Sequence, residues 1–89
     1  MQFIHAREFL NDGDLVEVDC DTELNIMLTT DSEFARFKNG DGCTYHGGFY
    51  KRFPVQICPK HSGYWNITLD VGVGYEANIR YSITVIKAK

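Results

Sequence analysis

The sequence predicts an all-β fold, a compact Greek-key-like β-sandwich of six to eight short strands with one short helix around residues 31–39. Three observations predict it. Apolar and polar residues alternate in several short runs, the period of a strand with one face buried. Gly, Pro, Asn and Asp clusters separate these runs at close, regular spacing. A single stretch, residues 30–40, abandons the alternation and carries start and stop signals of a helix.

Taken in order, Gln2 to His5 reads as a first strand with Phe3 or Ile4 inward, and Asn11-Asp12-Gly13-Asp14 as a turn. Leu15 to Asp19 is the next strand, with Val16 and Val18 inward, and Cys20-Asp21-Thr22 turns the chain. In Glu23 to Thr29, Leu24, Ile26 and Leu28 share one face and Asn25, Met27 and Thr29 the other. Thr30-x-x-Glu33 has the capping-box form, Phe34 and Phe37 share a helix face, and Gly40 sits where a left-handed C-cap belongs. The Phe pair is expected to plug one end of the β core. Tyr45 to Tyr50 is aromatic-rich and interrupted by Gly47-Gly48, which implies a bulge or the close approach of a backbone or ligand.

Pro54 to Val71 reads as a central hairpin. Val55 and Ile57 form one strand, and Pro59-Lys60-His61-Ser62-Gly63 supplies the turn. Trp65, Ile67, Leu69 and Val71 face inward on the second strand, with Asn66, Thr68 and Asp70 on the wet side. After Gly72-Val73-Gly74, a last strand runs from about Ala77 to Ile86, with Ile79, Tyr81, Ile83 and Val85 inward and Asn78, Arg80, Ser82 and Thr84 outward. The tail, residues 87–89, is expected to fray.

A chain of 89 residues makes one domain, residues 1–89, with a small core. Its apolar content of 44 % is that of a folded protein. The apolar runs are too short to span a membrane, and the N-terminus lacks the pattern of a signal peptide. Cys20, Cys43 and Cys58 are odd in number and form no CxxC pair, which favours reduced thiols and a cytoplasmic location. A net charge of −3 is unlike that of a nucleic-acid-binding domain. The charge is uneven. Residues 1–35 hold nine acids and one base, and residues 36–89 three acids and eight bases. Either early and late strands are neighbours whose charges offset, or a basic surface containing Lys51, Arg52, Lys60 and His61 attracts an anion.

The order of short motifs resembles the bacterial DUF1883 family, a domain of unknown function, over nearly the whole chain. The motifs are Met1-x-Phe3-x-His5, Gly13 to Val18, Asn25 to Leu28, Asp31 to Gly40, Tyr45 to Gly48, Pro54-Val55 and Pro59-x-x-Ser62-Gly63-x-Trp65 followed by Asp70. The family pattern favours Gly-Gly after that Asp, where this chain has Gly72-Val73-Gly74. The resemblance implies a β-sandwich in a bacterial setting and no known activity. It also implies a domain found alone or attached to TIR domains, which suits sensing or docking.

Asn25, Asp31, Ser32 and Asn39 read as loop or wet-face polar positions, and some serve as caps and turn formers. The candidate ligand-binding residues are Tyr45, His46, Gly47, Gly48, Lys51, Arg52, His61, Ser62 and Trp65, with backbone N–H groups near the glycines able to cradle an anion. A metal alternative uses the C-x-x-H pairs Cys43/His46 and Cys58/His61. Catalysis is not expected, because no nucleophile elbow, loop carboxylate pair or oxyanion signature is present. No cofactor is expected. The expected role is binding or sensing of a small polar or anionic ligand. The alternative is a docking or self-association module, monomeric or homodimeric. Neither a nucleic acid nor a membrane is an expected partner.

Overall fold

Alternation builds the sheets and caps build the helix. A computed structural model describes residues 4–41, 46–70 and 79–88. Seven strands and one helix follow in order: β1 (Ile4–Leu10), β2 (Leu15–Cys20), β3 (Leu24–Thr29), α1 (Asp31–Lys38), β4 (His46–Tyr50), β5 (Val55–Ile57), β6 (Gly63–Asp70) and β7 (Tyr81–Ile86). A four-stranded sheet in the order β1-β6-β3-β4 packs against a three-stranded sheet in the order β5-β2-β7. All pairings are antiparallel. Among the described strands only β3 and β4 are both consecutive and paired. The other pairings join distant strands, as closure of a Greek-key sandwich does.

The core lies between the sheets. Val16, Val18, Val55 and Ile57 come from one side, and Leu24, Ile26, Leu28, Trp65, Ile67 and Leu69 from the other. Side chains two apart share a face, so the alternating apolar positions of each strand meet here. The helix begins at Thr30 with both halves of a capping box: Glu33 N–H donates to Thr30 Oγ1 and Thr30 N–H to Glu33 Oε1. Asn39 is the C-cap, and Gly40 follows it at φ +82°. Phe34 is buried, but α1 lies on β3 and β6 and not across an end of the core. Among the described residues no helix is long and apolar enough to cross a membrane.

Several expectations change. β5 and β6 do not form a hairpin; β5 pairs with β2 and β6 with β1 and β3, in different sheets. Residues 58–62 arch across a gap of about 10 Å, well within their reach when extended. β1 extends to Leu10, longer than its apolar pattern suggests, because it pairs with β6 along its whole length. Asn66 and Thr68 are not on a wet face: they are 1 % and 0 % exposed, on the sheet face where α1 packs. Met27 and Thr29 are buried on that face too. Tyr81 is exposed, because it pairs with Cys20 at the extreme end of β2.

The tail is pinned at Lys87 and Ala88. Buried Asp14 accepts from Ala88 N–H at 2.8 Å, from Asn11 N–H at 2.8 Å and from Lys87 Nζ at 3.3 Å. These donors hold the Asp14 carboxyl below its ordinary pKa. An early acid thus meets a late base, as expected if opposite ends of the sequence are neighbours. The expected inward Phe3, Val71, the 72–74 turn and Asn78 lie outside the described residues.

Candidate functional site

The predicted site residues divide among several places. His46 opens β4, while Lys60 and His61 sit on the arch between β5 and β6. With Leu28, Thr30, Glu33 and Trp65 they line one cleft of about 70 Å³ beside the first turn of α1. That is room for roughly two waters or a small ion. Trp65 and Leu28 form its buried apolar wall, and Trp65 is only 2 % exposed.

The arch is held in shape by its own bonds. Trp65 Nε1–H donates to the His61 carbonyl at 2.9 Å, and the His61 ring lies tilted over the indole at 4.9 Å between centroids. His61 Nδ1 is 3.0 Å from the Ser62 carbonyl. A carbonyl only accepts, so Nδ1 carries a hydrogen and Nε2 is the atom left for a ligand. Ser62 has a structural task, since its hydroxyl accepts from Asp12 N–H at 2.8 Å and ties the arch to the β1–β2 turn.

The glycine pair divides as well. A Cβ on Gly47 would lie 2.1 Å from the Ile26 carbonyl oxygen, and its φ is +143°. The close approach expected at this pair is therefore that of β3's backbone. Gly48 has open space where a Cβ would be. Lys51 and Arg52 follow the far end of β4 from His46. Lys51 faces a separate recess with Cys20, Asp21, Thr22, Glu23 and Phe53, whose two carboxylates oppose an anion. Tyr45 and Cys43 lie outside the described residues. Among the described residues no group of three or more His, Cys, Asp or Glu is placed to hold a metal ion. A wider groove of about 270 Å³ runs between the end of β2 and the start of β7, where Asp21 and Arg80 exchange hydrogen bonds.

Sequence reasoning missed a second polar constellation. On the outward face of β1 and β6, Arg7 holds Asp31 of α1 in a two-point ion pair, Nε to Oδ1 at 2.9 Å and Nη2 to Oδ2 at 2.7 Å. Asn66 Nδ2 donates to Asp31 Oδ1 at 2.8 Å, and His5 Nε2 lies 2.7 Å from Asn66 Oδ1. The Arg7 and Asn66 hydrogen bonds drive the Asp31 carboxyl far below the ordinary carboxylate range. The signal in the sequence was His5 and Arg7 two apart on one strand face, opposite an acid in the first turn of a helix.

A family model described as "Domain of unknown function (DUF1883)" matches residues 1–89. The chain belongs to the DUF1883 family. No curated protein and no solved structure matches it. The family is defined without an activity, so the chemistry of a DUF1883 domain has to be argued from its own side chains.

Proposed function

We propose that this DUF1883 domain is a binding module, and that a small oxyanion binds in the cleft beside α1. One observation supports this most: His46 of β4 and the neighbouring Lys60 and His61 of the arch line one small cleft. Glu33 is the carboxylate among its described lining residues, and its Oε1 is engaged by Thr30 N–H. The positive end of the α1 dipole adds little, because Asp31 and Glu33 already complement it. Selection for an anion therefore rests on the Lys60 ammonium and an imidazole N–H of His46, since the Nδ1 hydrogen of His61 is already given to the Ser62 carbonyl. The role assigned is binding, without turnover. A reducing, cytoplasmic setting suits it, since Cys20 and Cys58 are free thiols.

Titration with inorganic phosphate, followed by amide chemical shifts, tests this. Shifts at His46, Lys60 and His61 that vanish in Lys60→Ala and persist in Arg52→Ala are the expected result. Shifts confined to Lys51 and Arg52, or none, would sink it.

A second reading is docking by strand addition at β4. Among the described strands β4 lies at the edge of its sheet; it has no Lys, Arg, Asp, Glu or Pro to protect it, and Phe49 stands exposed on it. Sedimentation at rising concentration would show a dimer in that case, and Phe49→Lys would abolish it.

A further inference from the structure

The outward face of β1 carries His5, Arg7 and Phe9 at alternate positions, so all three lie along one strip. Four strand steps make it about 13 Å long. Tyr64 of β6 pairs with Phe9 across the strands and adds its ring to the strip.

Hydrogen-bond polarity along this strip has one solution. A guanidinium only donates and a carboxylate only accepts. Asp31 therefore faces the amide nitrogen of Asn66, whose Nδ2 also donates to the Thr29 carbonyl at 3.4 Å. Turning the amide over would set its oxygen against both acceptors. Asn66 Oδ1 is thus fixed toward His5, and an amide oxygen cannot donate. The hydrogen in the His5–Asn66 bond must sit on His5 Nε2. In the neutral ring the lone pair is then on Nδ1, which has no hydrogen-bond partner among the described residues. Phe34 stacks on the His5 ring at 4.1 Å and an interplanar angle of 12°, which holds its plane.

The rest of the strip is equally set. Arg7 and Asp31 cancel each other's charge, and the Arg7 guanidinium lies over the Tyr64 ring at 4.0 Å. Lys38 Nζ is engaged over the Phe34 ring at 5.0 Å. Phe9 and Tyr64 meet edge to face at 5.1 Å, yet remain 45 % and 52 % exposed. The strip therefore offers ring surface, one oriented acceptor and a mutually neutralised ion pair. Neutralised charge gives an ion little reason to bind there, while pre-set polar groups bind hydroxyls at low ordering cost.

We propose that this strip is a recognition site for a neutral polyhydroxylated ligand of the saccharide class, one hydroxyl of which donates to His5 Nδ1 while an apolar ring face lies against Tyr64 and Phe9. It is independent of the anion cleft. Two measurements on the full chain test it. Long-range proton–nitrogen NMR spectra should show neutral His5 with its hydrogen on Nε2; a hydrogen on Nδ1 would overturn the inference. Titration with the neutral disaccharides maltose, cellobiose and chitobiose should shift His5, Phe9 and Tyr64 signals for at least one of them, and leave His46 and His61 unmoved. Tyr64→Ala and His5→Phe, which keeps the stack on Phe34, should each weaken that binding about tenfold or more. No response to any of the three sugars, or a response confined to the cleft, would refute the saccharide assignment, whatever phosphate does.

Discussion

On the inner face of the four-stranded sheet, Ile26, Leu28, Ile67 and Leu69 are buried among other hydrocarbon side chains. On its outer face, Thr29, Asn66 and Thr68 are buried just as fully, and Met27 nearly so, on the side where α1 packs. The inner face is stabilised by removing apolar area from water, worth about 1.5–3 kcal/mol for each large aliphatic side chain. The outer face cannot work that way. Its polar groups lose water and need partners. Asn66 finds them in Asp31, His5 and the Thr29 carbonyl. The Thr29 and Thr68 hydroxyls find none among the described residues. Burial alone therefore does not say what holds a surface together: one face is bound by packing and the other by a directed set of hydrogen bonds ending in an ion pair.

Substitutions can break or sharpen this contrast. Ile67→Ala should cost the most, about 2–5 kcal/mol in denaturant unfolding, because it opens a cavity in close-packed hydrocarbon. A loss below about 1 kcal/mol would mean that the inner face collapses around the gap. Gly47→Ala comes next. Its Cβ would strike the Ile26 carbonyl on the neighbouring strand, and its positive φ adds strain of about 1–3 kcal/mol. Thr68→Val has the opposite sign. Removing a buried hydroxyl that has no partner among the described residues, while keeping its shape, should raise stability by about 1 kcal/mol. A loss there would show that the hydroxyl is satisfied. Gly48→Ala, one residue from Gly47, should stay within about 0.5 kcal/mol, since nothing stands in the way of its Cβ.

Acid should act on the outer face and be silent near neutrality. Arg7 and Asn66 depress the Asp31 pKa, so the folded state holds its proton less tightly than the unfolded chain does. That contribution is complete above the ordinary carboxylate range and is lost as pH falls through and below it. Asp14 behaves in the same sense. Thermal midpoints measured down the acid limb should fall less steeply in Asp31→Asn than in the parent. Equal slopes would show that the ion pair contributes nothing.

The strands that were legible were those whose pattern has one interpretation. Val16 and Val18, and Leu24, Ile26 and Leu28, point inward as alternation demands. Thr30 and Glu33 announced the start of α1, since a capping box is a local bond between neighbours in sequence. What stayed hidden depended on partners far along the chain. The turn chemistry of residues 59–63 suits a hairpin and an arch equally, and only pairing with β2 or with β1 and β3 decides between them. Asn66 and Thr68 read as wet because alternation reports polarity and not cover. The site was legible in the same partial way. His46, His61 and Trp65 do meet, whereas Ser62 and Gly47 serve the scaffold and Lys51 belongs to another recess.

Trp65 gives the molecule an intrinsic optical label. It is the chain's only tryptophan, its indole N–H is tied to the His61 carbonyl, and its ring lies beneath the His61 imidazole. Whatever fills the cleft, or pulls the arch away from the sheet, changes the surroundings of that one chromophore. Emission excited at the tryptophan alone thus reports on the arch and on the core that Trp65 faces, while a ligand seated on the outer strip, beside His5 and Tyr64, acts on the tyrosine signal instead.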